Sequence, residues 1–181
     1  MSGLSELIEK ILHSRPVFSG KILNLRVDTV LLPDGRTATR EVVEHSGAVV
    51  VAALNEAGEV IMVRQFRHPV GRVLLELPAG KLDAGEEPLA CAKRELLEET
   101  GYEAEEWVPL YRFFSTPGFS TEEMHLFLAT NLRKEEQQTD DDEFIEVVTV
   151  PLKQTLEMIE RGDVCDAKSI VGLLALCLRQ G

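Results

Sequence analysis

A run of carboxylates on one side of a helix, directly after a glycine-rich turn, is the feature that most limits how this chain can fold. It lies between Leu77 and Tyr102, in LPAGKLDAGEEPLACAKRELLEETGY. Glu95, Glu98 and Glu99 stand at i, i+3 and i+4, so a helix brings them onto one face. The same reading puts Leu89, Leu96 and Leu97 on the opposite side. Pro88 suits a first helical turn and Gly101 suits its end, which predicts a helix over 88–100. A carboxylate face beside a tight loop is what a hard divalent cation needs. Mg²⁺ takes oxygen ligands and keeps part of its water shell. The stretch is therefore expected to hold Mg²⁺ against a diphosphate.

The rest of the chain must supply a core for that helix. Ala48 to Leu54 is a continuous apolar run, the pattern of a central strand buried on both faces. Val60–Phe66, Val73–Leu77, Trp107–Phe114, Met124–Ala129 and Phe144–Val150 read as further strands. Pro151–Glu160 and Asp166–Leu178 read as helices, with Asp166 as an N-cap. Before this block the period is two. Lys21–Val30 and Thr37–His45 predict an antiparallel ribbon turning at Asp34-Gly35. Such a ribbon is marginal alone and must lie on its own domain or on a second subunit. Leu4, Leu7, Ile8, Ile11 and Leu12 form a helical stripe, so a short helix is expected over 3–13, ended by Arg15-Pro16. The domain expectation is 1–45 for helix and ribbon and 46–181 for the main body.

Charge narrows the partners. The 181 residues carry 19 basic and 31 acidic side chains, a net charge of −12. That argues against a nucleic acid or an anionic membrane as the main partner. It leaves room for a small anion, because a bound metal can invert the local field. Cys91, Cys165 and Cys177 show no CxxC spacing, which points to a reduced, cytoplasmic compartment rather than disulfides or zinc. No apolar run approaches the length of a membrane span. His45, His68 and His125 make no metal pattern.

Gly80, then Glu86, then Arg94-Glu95-Leu96-Leu97-Glu98-Glu99-Thr100-Gly101-Tyr102 resembles the Nudix box. Tyr102 is its one departure, standing where the family usually has Ile, Leu or Val. Arg64-Gln65-Phe66-Arg67, Glu76-Leu77-Pro78-Ala79-Gly80, Thr116-Pro117-Gly118-Phe119 and Asp166-Ala167-Lys168 are similar to the ADP-ribose pyrophosphatase branch of that family. The resemblance implies an α/β (α+β) fold, a Nudix α/β/α sandwich with a mixed sheet plus the N-terminal antiparallel ribbon. It also implies a homodimer in which the ribbon is exchanged.

The resemblance further implies Mg²⁺-dependent hydrolysis of ADP-ribose to AMP and ribose 5-phosphate, with Mn²⁺ as the alternative metal. Alternative substrates are another nucleotide sugar or a dinucleotide. An alternative of another class is a Nudix module that senses nucleotides without cleaving them. Glu95 and Glu99 are expected metal ligands, with the carbonyl of Ala79, and with Glu98 and Glu86 in or behind the ligand shell. Arg94 is expected to pair with these carboxylates and set their rotamers. A glutamate tied to metal is a poor proton acceptor, so the general base is sought on the acidic loop 140–143. Glu143 is the choice there, with Asp141 and Glu146 as alternatives. Arg67 and Arg40 are expected at the phosphates, and Pro117 and Glu122 at the terminal ribose.

Overall fold

The computed structural model describes residues 7–137 and 144–180. They fall into two compact units, Met1–Ser46 with Phe114–Glu122, and Gly47–Phe113 with Glu123–Gly181.

The first unit is a three-stranded antiparallel sheet in the order β1-β2-β3, formed by Lys10–Ser19, Asn24–Leu31 and Thr37–Glu44. The Asp34-Gly35 turn forms as expected: the Gly35 N–H donates to the Leu32 carbonyl at 3.0 Å. Asp34 accepts from the Arg36 N–H at 3.0 Å, as turn aspartates do. Residues 3–6 of the helix expected over 3–13 lie outside the described residues; its later part is overturned, because Lys10 to Leu12 already belong to β1. An isolated helix of that length is marginal in water. Pairing with β2 instead satisfies the backbone, and the Ser14 hydroxyl donates to Asp28 directly across the ladder at 2.7 Å. Pro16 does not end the element. It sits inside β1, an edge position of the sheet where a missing N–H costs little. The segment 114–122 joins this unit: the Val43 N–H donates to Phe119 O at 2.8 Å, and the Thr121 N–H to Val43 O at 3.0 Å.

The second unit is built on β4, Ala48–Leu54. Around it lie β5 (Glu59–Arg67), β6 (Arg72–Glu76), β7 (Ala79–Lys81), β8 (Tyr102–Phe114), β9 (Glu123–Lys134) and β10 (Ile145–Pro151). The main path runs β10-β5-β4-β9-β8, with β6 on β5 and β7 on β4. The β4–β9 pair is parallel, while β4 meets β5 and β7 antiparallel, so the sheet is mixed. Helices α1 (Pro88–Thr100), α2 (Leu152–Arg161) and α3 (Ala167–Gln180) cover it.

Alternate residues of β4 serve two cores. Val49, Val51 and Ala53 pack with Cys91, Ala92 and Leu96 of α1. Ala48, Val50 and Ala52 pack with Leu152 of α2 and with Leu173, Ala175 and Leu176 of α3. That explains the unbroken apolar run. The apolar side of α1 differs from the expected one: Leu89 is 39 % exposed, while Cys91 and Ala92 are fully buried beside Leu96. The segment expected as a plain glycine-rich turn contains β7, with Gly80 paired to Val49.

Gly172 lets α3 close on β6–β7. A Cβ there would collide with the Leu77 side chain and sit 3.3 Å from Leu126 Cδ1. In a solvent-facing helix Gly→Ala stabilises by about 1 kcal/mol. Here Leu77 is fully buried and cannot swing aside, so Gly172→Ala should instead lower stability by about 1 kcal/mol net, as overpacked cores do. Urea unfolding of the two proteins checks the sign.

Candidate active site

The centre of the site is Arg94, on the middle turn of α1. Its Nε and Nη2 each donate to Glu86 at 3.0 Å, while Nη1 donates to Glu95 at 2.8 Å and to Glu98 at 2.9 Å. One guanidinium thus joins the loop before α1 to two carboxylates of the helix. A planar guanidinium fork, with donors fixed in direction, suits this role. The Glu86 carboxyl is held far below its ordinary value, at about 2, chiefly by Arg94; burial opposes, and the Asp83 N–H assists. The Arg94 guanidinium is pushed up by the same bond to Glu86.

Glu99 completes the face from inside. It is 4 % exposed and accepts the Ala79 N–H at 3.0 Å, so β7 and the helix carboxylates meet at Ala79. Gly80 is a cradle for Glu95: a Cβ at Gly80 would occupy the position of the Glu95 carboxylate. Beneath the site, Cys91 is buried, and burial followed by Glu86 pushes its thiol up to about 12. It is a packing residue that stays protonated.

The expected set therefore comes together in part. Ala79, Glu86, Arg94, Glu95, Glu98 and Glu99 form one cluster. Arg67, expected at the phosphates, is ion-paired: its Nε and Nη2 donate to Glu76 at 3.0 and 2.8 Å. Glu76 is 1 % exposed and also takes Lys168, which in turn reaches Asp166 at 2.7 Å. Sequence reasoning missed this network; its only signal was a buried-type position occupied by Glu76 at the end of an apolar strand. Arg40, Pro117 and Glu122 lie in the first unit. There Arg40 pairs with Glu9, and Glu122 takes the Ser115 hydroxyl and lies 3.7 Å from His45. Glu143 and Asp141 lie outside the described residues. Glu146 forms an exposed pair with Arg64 at 3.2 Å.

Whether these residues suit a divalent metal can be judged from the cluster itself. Among the described residues no three acidic, His or Cys side chains already surround one point. The reason is local: Glu95 and Glu98 lean on Arg94. The donors are nonetheless all hard oxygens, gathered over the β7 backbone with Glu95 laid across Gly80, and such a set fits Mg²⁺ or Mn²⁺.

Residues 43–170 match the family model described as the NUDIX domain. The chain belongs to the Nudix family. Residues 9–43 match a second model, the nucleoside diphosphate sugar hydrolase N-terminal domain. The chain is 44% identical over 179 residues to a protein named ADP-ribose pyrophosphatase from Bacillus subtilis, covering 98% of this chain and 97% of that one. It is 40% identical over 174 residues to a protein named methanol dehydrogenase activator from Bacillus methanolicus, covering 95% and 94%. A solved structure titled as an ADP compounds hydrolase shares the fold, with a TM-score of 0.82 at 22% identity over 93% of this chain and 91% of that one. The Nudix box of the sequence is thus the loop, β7 and α1 assembly organised by Arg94.

The depressed Glu86 carboxyl has a consequence for acid stability. Its pair with Arg94 contributes fully above the ordinary carboxylate value of 4.5, and is lost as pH falls towards the folded value of about 2. The stability gap between the native protein and Glu86→Gln should therefore be constant above that window and close within it. Urea midpoints measured from neutral pH down into the window read this directly.

Proposed function

We propose that this chain is a Mg²⁺-dependent hydrolase that cuts the diphosphate of ADP-ribose, giving AMP and ribose 5-phosphate. The observation that carries this reading is the Arg94-ordered carboxylate face, Glu95, Glu98 and Glu99, set against Ala79. The likeness to ADP-ribose pyrophosphatase along nearly the whole chain supports the substrate. Glu95, Glu98 and Glu99 would hold the metal, with the Ala79 carbonyl as a further ligand and Glu86 behind them. When bound, the metal offsets the charge of the diphosphate and lowers the pKa of a coordinated water.

The chain's own residues do the rest. Arg94 holds the rotamers of Glu86, Glu95 and Glu98 through its hydrogen bonds. Arg67, and Arg40 from the ribbon, hold the phosphates, while Pro117 and Glu122 receive the terminal ribose. Glu143 takes the proton from the attacking water. The water oxygen bonds to phosphorus, the bridging oxygen leaves with the other phosphate, and one diphosphate becomes two monophosphates. A broader specificity for nucleoside diphosphate sugars is the second reading, favoured by the match of residues 9–43.

A panel of nucleoside diphosphate compounds assayed with Mg²⁺, Mn²⁺ and EDTA separates the readings. ADP-ribose should rank among the best substrates, and EDTA should abolish turnover. If ADP-ribose ranks among the poorest, the substrate assignment fails; nucleotide binding without metal-stimulated hydrolysis would instead mean a sensor. Glu143→Gln should depress turnover with little change in KM. A loss smaller than about threefold, roughly 0.6 kcal/mol on the barrier, removes Glu143 as the base.

A homodimer belongs to the same reading. Every residue of β1 is exposed, including Ile11, Leu12, Val17 and Phe18, all at 48 % or more. A second copy covering this ribbon would hide that apolar surface. The three free cysteines suit the cytoplasm, and no helix among the described residues is long and apolar enough to cross a membrane. Ile11→Asp with Phe18→Asp should give a monomer in sedimentation velocity where the native chain is a dimer.

A further inference from the structure

The Leu77-Pro78-Ala79 segment joins β6 to β7 and presents Ala79 to Glu99; Ala79 pairs with Val50 of β4, while Leu77 lies outside both strands. β6 ends its pairing at Glu76, opposite Val63. Pro78 has no N–H to give, and only its carbonyl is used, accepting the Val51 N–H at 2.9 Å. The Leu77 N–H is fully buried and needs an acceptor. That acceptor is a side chain 92 residues away, the Ser169 hydroxyl of α3, at 2.7 Å. Ser169 is itself 0 % exposed. Its hydroxyl donates to Asp166 at 2.6 Å, and its backbone N–H donates to the same carboxylate oxygen at 3.1 Å. Asp166 thus takes the hydroxyl's proton as acceptor and leaves its oxygen to accept from Leu77.

A second contact acts on the same residue. Gly172 lies one turn further along α3, and its bare Cα admits the Leu77 side chain. Helix α3 therefore grips Leu77 twice, by its N–H and by its side chain. Two residues on, the Ala79 N–H donates to Glu99.

We propose that Ser169, oriented by Asp166, is a positioning residue for the metal site: it fixes Leu77-Pro78-Ala79 so that Ala79 meets Glu99. The proposal rests on the reading of that cluster as a metal site. Side chains that orient ligands from behind typically matter about 10–100-fold in metal affinity.

The test uses the full-length, substrate-free protein. Mn²⁺ binding is measured by electron paramagnetic resonance, and exchange of the Ala79 amide by NMR, in the native chain, Ser169→Ala, Gly172→Ala and Thr155→Ala. Thr155 is the control: a fully buried hydroxyl on α2 that donates to Leu152 O at 2.7 Å and touches α3 at Cys177, two turns beyond Ser169. Ser169→Ala and Gly172→Ala should each weaken Mn²⁺ binding about tenfold and speed exchange at Ala79. Thr155→Ala should leave both within about twofold. Should Ser169→Ala not fold, Asp166→Asn is the milder variant and should give the same two changes, smaller. If Ser169→Ala loses only stability and matches Thr155→Ala in both readings, the proposal is overturned. If the native chain binds no Mn²⁺, the metal reading fails, and the Ala79 exchange alone decides for or against the brace.

Discussion

Carboxylates on adjacent turns of one helix repel one another, and the second unit depends on how that repulsion is offset. Arg94 offsets it from within the helix. Three of its nitrogens reach Glu86, Glu95 and Glu98, and it is held protonated by them. Because Glu86 comes from the loop before α1, the same guanidinium closes that loop onto the helix. Isolated surface ion pairs contribute little to stability. This one is different in kind, since it fixes the rotamers of several acidic groups before any ligand arrives.

From that constraint the layout follows outward. Glu99, from inside the helix, accepts the Ala79 N–H of β7. Strand β7 in turn lies on β4, with Gly80 opposite Val49. Strand β4 is buried on both faces, by α1 on one side and α2 and α3 on the other. The carboxylate face is therefore carried by a strand paired to the buried centre of the sheet. A site built on central strand and helix keeps its geometry better than one built on loops.

A second set of charges lies behind the first. Glu76 is fully buried and is shared by Arg67 and Lys168, with Asp166 beyond. Its carboxyl is drawn below the ordinary value by these cations despite the opposing burial, which is the largest influence on it. A buried charge is tolerable only with such partners. Here they tie β5, β6 and the start of α3 into one frame around Leu77.

The residues alone determined a good deal. The carboxylate helix, its two ends and its Arg94 are local in sequence, separated by at most a few turns, so spacing was enough to read them. The central strand was legible because burial on both faces demands an unbroken apolar run. Tertiary structure decided the rest. The helical stripe that starts at Leu4 runs into β1 at Ile11 and Leu12, yet these are strand residues, because pairing with β2 and the Ser14–Asp28 contact outweigh a weak local preference. Neither the sharing of Glu76 by Arg67 and Lys168 nor the hold of Ser169 on Leu77 could be read in advance. The Lys168 and Ser169 contacts join residues 92 positions apart, and only the packing of α3 against the strand ends brings them within hydrogen-bonding reach.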